Sequence, residues 1–328
     1  MDHPDVLLNV LSLLDRTTLA ACLLVSREFY NLAGPLLYRH LRVSFWLGPS
    51  PLNGVLEPST QTGTPTSPGA PTRRKHTLLQ YTTSLNLGNH HLHCKPYFDT
   101  PIHLPNLRVL RIGSNPYLLT LCAVRGPRCP LFVQLNPTKL VLSTYHPLFP
   151  NLPIGAGVIL PPSIETVVLL EKPGTGITPL PDLGYSFLEP ARCANLRRIE
   201  IVFLSTGPDV GFTYISPCTV LGTVCGFANP ENAFWENLAS ICAEFDGEIR
   251  VINAGGFDRA WLGIEEGDVA NTVEEKVGEM ALRMLEDRGT PLEEIEARQR
   301  RVKFEGMREW LERDWAGVVE PNEVQGWL

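Results

Sequence analysis

The sequence predicts an α/β protein in which three short helices precede irregularly spaced strands, and further helices follow towards the C terminus. Three observations lead to this fold class. Apolar residues recur at helical spacing in the first forty residues. Short segments with alternating apolar residues then recur between residues 85 and 251. Amphipathic segments with clear start and stop residues occupy the last third of the chain.

The first forty residues favour three short helices. Asp15 can cap the second helix and Ser26 the third, which we predict to end near Gly34-Pro35. A unit of this length buries little surface and is marginally stable alone, so its apolar faces require a partner. The apolar stripe of the first helix consists of Val6, Leu7, Val10, Leu11 and Leu14.

Three stretches of this region resemble a known family. They are residues 5–15 (DVLLNVLSLLD), residues 25–33 (VSREFYNLA) and residues 37–41 (LYRHL). Together with Leu19 they are similar to an F-box. The resemblance implies docking onto the Skp-type adaptor of a cullin–RING ubiquitin ligase. The leading Leu-Pro pair of the family falls on Asp2-His3 and is not matched, although Pro4 follows.

The resemblance also implies which residues contact the adaptor. Asp5 lies at the family's acidic helix start, and Phe29 and Tyr38 lie where tryptophan is common. The alternative interpretation is an ordinary helical cap on the following domain. The residues that we expect to bind the adaptor are Pro4, Val6, Leu7, Val10, Leu11, Leu14, Leu19, Leu23, Val25, Phe29, Leu32, Leu37 and Tyr38.

Composition favours an intracellular protein with more than one module. The chain has 328 residues, of which 44% are hydrophobic and 19% charged, enough for a sizeable core. Its start lacks the basic region of a signal peptide, and no apolar run is long enough to span a membrane. The eight cysteines are scattered and form no CxxC pair, so we expect them to be reduced thiols. We therefore expect the cytoplasm, the nucleus or both.

Charge is unevenly distributed along the chain. Residues 231–328 contain 23 acidic and 11 basic side chains, a net charge of −12, whereas the rest of the chain has a net charge of +5. An acidic C-terminal third argues against nucleic acid as its main ligand. A solvated helical surface explains the charge most simply. Attraction of a basic partner, or of the chain's own basic middle, is the alternative.

Residues 46–76 are predicted to be a disordered linker or insertion. The stretch from Gly48 to Thr72 is crowded with Pro, Gly, Ser and Thr and has too few apolar side chains to offset its ordering entropy. It ends in the basic triplet Arg73-Arg74-Lys75.

Residues 77–260 form a predicted repeat-like α/β domain. Fragments 104–112 (LPNLRVLRI) and 195–201 (NLRRIEI) are similar to the strand face of a leucine-rich repeat. Stacked parallel strands would bury their alternating apolar face and present an open surface suited to protein recognition. An ordinary mixed α/β domain is the alternative. The predicted strand cores are residues 85–87, 110–112, 140–142, 167–169, 199–201 and 249–251.

Residues 261–328 are predicted to be an acidic helical segment, preceded by an amphipathic helix over residues 232–245. Thr272 and Glu275 form a capping box, Gly289 ends that helix, and Thr290 can cap the next one. Beyond residue 302 the apolar stripe changes direction by about 200°, so we expect this last helix to bend near Gly306 or to contact two surfaces.

Catalytic and metal-binding motifs are sparse, and we expect neither an enzyme nor a cofactor. His90, His91, His93 and Cys94 include possible zinc ligands, but no second cysteine–histidine pair completes a four-ligand set. Cys218 and Cys225 have no histidine nearby in sequence. The chain also lacks a phosphate-binding glycine loop, a nucleophile elbow and an H-E-x-x-H motif.

Three functions compete on this basis. The favoured hypothesis is the substrate-recognition subunit of a Skp–cullin–F-box ubiquitin ligase, in which the helices bind the adaptor and the repeat-like domain binds a protein target. The second is a leucine-rich-repeat-like interaction scaffold with no ligase, whose first helices cap its open end. The third is an enzyme with an unrecognised site. We expect no nucleic-acid or membrane partner.

Overall fold

A computed structural model describes residues 4–44, 77–89, 103–112, 135–143, 162–171, 194–204, 230–256, 267–314 and 318–319. It has the predicted α/β character, with N-terminal helices followed by one eight-stranded parallel sheet. The predicted linker at residues 46–76 lies outside the described residues. In the part of the chain that is described, no helix is both long and apolar enough to cross a bilayer.

The helical unit at the N terminus consists of α1 (Pro4–Ser12), α2 (Arg16–Cys22) and α3 (Arg27–Arg39). Both predicted caps are confirmed. The Asp15 carboxylate accepts a 2.9 Å hydrogen bond from the Thr18 N–H, and the Ser26 hydroxyl accepts one of 3.2 Å from the Phe29 N–H. Each bond satisfies a backbone donor that the first helical turn leaves unpaired.

The predicted end of the third helix at Gly34-Pro35 is wrong, because α3 continues through Pro35 to Arg39. A proline inside a helix removes one backbone hydrogen bond. Packing offsets that loss: Leu36 and Leu37 contact the core of the helical unit, and Tyr38 packs against the core of the sheet.

The sheet contains eight parallel strands whose spatial order follows the chain. All six predicted strand cores are confirmed; the two outer strands, β1 and β8, were not predicted. The strands are β1 (His40–Ser44), β2 (Ser84–Asn89), β3 (Val109–Ile112), β4 (Lys139–Ser143), β5 (Thr166–Glu171), β6 (Arg198–Phe203), β7 (Glu248–Ile252) and β8 (Val302–Glu305).

The register aligns the apolar positions of successive strands. Leu85 pairs with Leu110, Leu110 with Leu140, and Leu140 with Val167. Val167 in turn pairs with Ile199. Because side chains alternate across a strand, these rows lie on one side of the sheet, here named the core face. The leucine-rich-repeat interpretation of this stacking remains a prediction.

Asparagines connect some of the turns that precede strands. The Asn106 side-chain amide donates a 2.7 Å hydrogen bond to the Gln80 carbonyl, and the Asn195 amide donates one of 2.6 Å to the Pro162 carbonyl. Each asparagine thereby ties the turn before its strand to the turn before the previous strand. These bonds fix the stacking of adjacent units.

Two long helices and one shorter helix cover the core face. They are α4 (Pro230–Glu244), α5 (Val269–Asp287) and α6 (Leu292–Gln299). Trp235 on α4 and Val273 and Val277 on α5 are almost fully buried in the same apolar cluster as the strand rows. The predicted helix at residues 232–245 is thus confirmed.

The predicted starts of α5 and α6 are wrong. Helix α5 begins one turn before the predicted capping box, because Asp268 is its cap and accepts a 3.0 Å hydrogen bond from the Asn271 N–H. Thr272 lies inside that first turn. Helix α6 follows Pro291 and has no side-chain cap, so Thr290 does not fill that role. Gly289 follows the end of α5 with φ of +70°, a conformation that favours glycine.

The change of stripe beyond residue 302 has a different cause from the two that were predicted. The chain leaves α6, forms strand β8 and then enters α7 (Met307–Asp314). Helix, strand and helix present side chains with different periods, which explains the shift.

The helical unit joins the sheet without an intervening loop. His40 follows the last residue of α3 and is the first residue of β1. A Cβ atom on Gly34 would lie 2.6 Å from Leu78 Cδ2, so glycine allows this close approach. Strands of the sheet thus come from the first and last predicted segments, and the domain boundaries at residues 45, 76 and 260 remain predictions.

Candidate functional site

Helix α1 and the turn that follows it carry two apolar stripes, each with residues spaced by four and then three positions. The inner stripe, Leu7, Leu11 and Leu14, belongs to the core of the helical unit, and only 1% of Leu11 is exposed. The outer stripe consists of Val6, Val10 and Leu13, which are 60%, 51% and 86% exposed. A helix that is apolar on most of its surface normally contacts other structure on most sides. The outer stripe lacks such cover from the residues that are described.

The core of the helical unit is small. Only three residues are fully buried in it, namely Leu11, Leu19 and Ala33. Partly buried side chains surround them: Leu7, Leu14, Cys22, Leu23, Phe29, Leu32, Leu36 and Leu37. Much apolar surface of the unit therefore remains in contact with solvent.

A second exposed apolar group lies in the turn between α2 and α3. Leu24 is 89% exposed and Val25 is 66% exposed. Their backbone is nevertheless ordered, since the Leu24 N–H donates to the Ala21 carbonyl at 3.0 Å and the Val25 N–H to the Cys22 carbonyl at 3.2 Å. An ordered backbone that presents apolar side chains to solvent is suited to binding a protein partner.

Exposed apolar residues are concentrated in this unit. Six of the eight large apolar side chains that the described residues expose lie between positions 6 and 25, and the other two are Tyr81 and Leu292. This distribution marks the unit as the candidate site. We define the docking surface by these six residues: Val6, Leu8, Val10, Leu13, Leu24 and Val25.

The predicted adaptor-binding residues divide into four groups. Val6, Val10 and Val25 belong to the docking surface. Leu11 and Leu19 are buried in the core of the helical unit, and their contact with the adaptor remains a prediction. Pro4 begins α1. Seven others are half-buried: Leu7, Leu14, Leu23, Phe29, Leu32, Leu37 and Tyr38.

Sequence reasoning missed three residues of the docking surface: Leu8, Leu13 and Leu24. A signal was present for Leu13, because it continues the spacing of Val6 and Val10. Leu24 follows the last turn of α2, where helical periodicity no longer applies, and no pattern indicated its exposure.

Two ionisable groups of the helical unit have shifted pKa values. The hydrogen bonds from the backbone and side chain of Thr18 lower the pKa of the Asp15 carboxyl, which keeps this cap charged. Burial, and to a lesser degree the neighbouring Tyr30, raises the pKa of Tyr38.

The second notable surface is the side of the sheet opposite the core face, here named the second face. Around β6 to β8 it carries paired charges. Glu248 lies 2.8 Å from Arg198, 3.0 Å from Arg250 and 2.8 Å from Lys303. Burial raises the pKa of Glu248, but the hydrogen bonds from Lys303 and Arg250 and the charges of Arg198 and Arg250 outweigh this and lower it to about 2.

Metal and nucleophile chemistry finds little support among the described residues. They contain no group of three or more histidine, cysteine or acidic side chains able to hold a metal ion. Burial raises the pKa of Cys242 to about 12, so its thiol is protonated at neutral pH. The predicted candidates at positions 90–94, 218 and 225 lie outside the described residues.

A comparison with known protein families finds a match for the helical unit. Residues 4–44, which comprise α1 to α3 and β1, match the F-box-like family model. The match spans 41 of the 328 residues. None of the curated proteins matches the chain.

Proposed function

We propose that this protein is the target-recognition subunit of a Skp–cullin–F-box ubiquitin ligase. The F-box-like domain supports a role as the component that binds the adaptor. The single observation that carries the proposal is that this same domain exposes six large apolar side chains. A docking module that requires a partner has this property, whereas a finished helical cap would bury them.

The size of the docking surface is adequate for specific binding. Complete burial of one valine or leucine side chain contributes about 1.5–3 kcal/mol, and a micromolar complex requires about 8 kcal/mol. Burial of all six side chains would therefore contribute on the scale that such a complex requires, and the costs of association reduce the net gain. Removal of a single leucine anchor should weaken binding by about tenfold or more.

In this proposal the protein is not itself catalytic. It binds the adaptor, and through it the cullin–RING ligase, on one side and a protein target on the other. The target's lysines then reach a high effective concentration near a ubiquitin-charged enzyme that the ligase supplies. The direct connection of α3 to β1 supports this role, because a short rigid joint limits the directions in which a target can be held. The chain would act in the cytoplasm, the nucleus or both.

Target binding is assigned to the sheet and its helices. A parallel sheet of stacked units, like a leucine-rich repeat, offers a broad surface whose side chains come from many strands. Such a surface is better suited to a protein than to a small substrate.

Co-purification with a Skp-type adaptor tests the proposal. We expect the wild-type chain to retain the adaptor, and Leu13→Asp and Leu24→Asp to weaken binding at least tenfold each, because a carboxylate would be desolvated in the interface. Leu292→Asp is the matched control, since it makes the same change at an exposed leucine outside the docking surface. Asn9→Asp is the second control, since it places the same charge on α1 without removing an anchor.

Equal adaptor binding by the wild type and both leucine variants would refute this use of the docking surface. Leu11→Asp, which sequence alone recommends, is a poorer test. Its side chain is buried, so loss of binding would only report that the helical unit has unfolded.

The joint between α3 and β1 is equally consistent with a scaffold as the second candidate, because an end cap would also be continuous with the sheet. Deletion of residues 1–45 would not separate the two functions. It removes β1 together with the helices and exposes the edge of β2. The surface variants do separate them: a scaffold without a ligase should bind no adaptor with or without the substitutions.

A further inference from the structure

The C-terminal segment, defined as α7 together with Val318 and Val319, lies on the second face of the sheet. Its Trp310 and Leu311 belong to an apolar cluster that is separate from the main core. The sheet contributes five residues to this cluster from β4, β5, β6 and β7: Val141, Val168, Leu170, Val202 and Ile252. A segment connected to β8 through Gly306 therefore covers the middle of the second face.

Buried polar groups hold this segment in place. The Trp310 indole N–H donates a 3.2 Å hydrogen bond to the Glu200 carboxylate, and both side chains are fully buried. On the other side of the cluster, Arg111 donates a 3.1 Å hydrogen bond to the Val318 carbonyl. Outside the cluster, Arg313 pairs with Glu305 at 2.7 Å.

The position of these polar groups is informative because the same row of the sheet also contains valines. Register aligns Arg111, Val141, Val168 and Glu200 across β3 to β6. A permanent core would have apolar residues at all four positions, since burial of an ionised group is costly unless it is fully hydrogen-bonded. Among the described atoms, Glu200 Oε1 accepts no hydrogen bond, and it lies 3.7 Å from Arg198 Nη1.

We infer that the second face is a protein-binding surface that the chain's own C-terminal segment occupies until a target replaces it. This inference rests on the proposed function, to which it adds the chemistry of the target. An apolar patch that is bordered by polar groups resembles a protein–protein interface, in which polar residues surround an apolar centre. The valine rows supply affinity, and Glu200 and Arg111 supply orientation.

The C-terminal segment indicates what the target must offer. The target is a protein segment with a tryptophan whose indole N–H can reach Glu200, and an adjacent large aliphatic residue in the place of Leu311. It also presents a backbone carbonyl to Arg111. A segment without an N–H donor at that position would leave the buried Glu200 Oε2 without its partner and would be discriminated against.

Native-state hydrogen exchange on the unmodified full chain tests whether the segment opens separately. We expect the amides of residues 310–314 to exchange at least tenfold faster than those of β6, although Trp310 and Phe203 are equally buried. Exchange of both groups at one common rate, as in global unfolding, would overturn the inference, because the segment would then be an integral part of the core.

A binding experiment tests the occupancy of the face. The probe is a labelled synthetic peptide with the sequence of residues 305–319, added to the full-length wild-type chain and to Trp310→Phe. This variant keeps an aromatic ring but loses the N–H donor to Glu200. We expect the peptide to bind the variant at least tenfold more tightly than the wild type, because the weakened segment competes less. The same peptide carrying Trp310→Ala is the control and should bind neither chain.

Failure of this inference can be distinguished from failure of the proposed function. The inference is overturned if the peptide binds both chains equally well. It is also overturned if the peptide binds neither chain and leaves the hydrogen exchange of β3–β5 unchanged. Adaptor binding should be the same for the wild type and Trp310→Phe, because the docking surface lies on α1 and in the turns that follow α1 and α2. Absence of adaptor binding to both would refute the ligase function and leave the occupied face intact.

Discussion

The helical unit and the sheet use leucine in opposite ways. Leu13 and Leu24 are 86% and 89% exposed, whereas Leu110 and Leu140 are completely buried. Both regions are rich in apolar residues at regular spacing. The difference is that the strand rows are covered by α4 and α5, while the outer stripe of α1 has no such cover from the described residues. Apolar periodicity therefore identifies a surface to be buried, but not the partner that buries it.

The largest loss of stability is expected from a substitution in the strand rows that the helices cover. Leu110→Ala removes a fully buried side chain from the middle of the core face, and such changes cost about 2–5 kcal/mol of unfolding free energy. Chemical denaturation followed by circular dichroism would measure the loss. A cost below about 1 kcal/mol would show that the rows of the core face are not packed as described.

The second-largest loss of stability is expected at the joint between the helical unit and the sheet. Gly34→Leu places a side chain against Leu78, which is itself buried, and overpacking of this kind costs about 1–3 kcal/mol. We expect Leu78→Ala to recover part of that loss in the double variant, because the space removed by one change is restored by the other. Additive losses in the double-mutant cycle would show that the two residues are not in contact.

The charge network of the second face predicts a pH-dependent effect. The folded-state pKa of Glu248 is about 2, below its ordinary value of 4.5. Its stabilising contribution is therefore complete above about pH 4.5 and is lost as the pH falls through about 2. Such a shift corresponds to about 3 kcal/mol, which we reduce to about 1–2 kcal/mol for solvent screening, since 23% of the side chain is exposed.

Comparison of the wild type with Glu248→Gln isolates this contribution from other carboxyl groups. The difference in unfolding free energy between the two chains should be largest above pH 4.5 and should disappear towards pH 2. A difference that does not change with pH would show that the charge of Glu248 is not responsible. Adaptor binding at neutral pH should be the same for both chains.

Much of the sheet could be predicted from sequence because alternation and stacking are local and repeated. Leu110 and Ile112 flank a polar position, as do Ile199 and Ile201, and the register confirms that these segments align. The asparagines of the two quoted fragments, Asn106 and Asn195, also form equivalent hydrogen bonds. A pattern that recurs along the chain thus contained both the elements and their order.

The outer strands could not be predicted in the same way. β1 contains only two alternating apolar residues, Leu41 and Val43, and so short a run does not predict a strand. β8 has only Val302 and Phe304 between two helices. Edge strands pair on one side only, and a short strand with few apolar residues has a weak sequence signature. Their existence depends on the neighbouring strand more than on their own residues.

The position of the candidate site remains a prediction, and the orientation of its side chains could not be predicted. Sequence placed it on α1 to α3, yet Leu11 and Val10 are adjacent and have opposite environments. Both stripes of α1 have the same spacing, and only the contacts of α2 and α3 decide which one faces inward. The contact between Glu200 and Trp310 joins residues 110 positions apart, and no local pattern connects them.

The smallest effect on stability is expected at an exposed leucine of the docking surface. Leu24→Ala makes the same chemical change as Leu110→Ala, but at a side chain that is 89% exposed. Surface substitutions of this kind usually alter the unfolding free energy by no more than about 0.5 kcal/mol. We therefore expect unchanged denaturation together with a clear loss of adaptor affinity. A loss of stability comparable to that of Leu110→Ala would mean that Leu24 is covered within the chain itself, and that the docking surface is smaller than defined here.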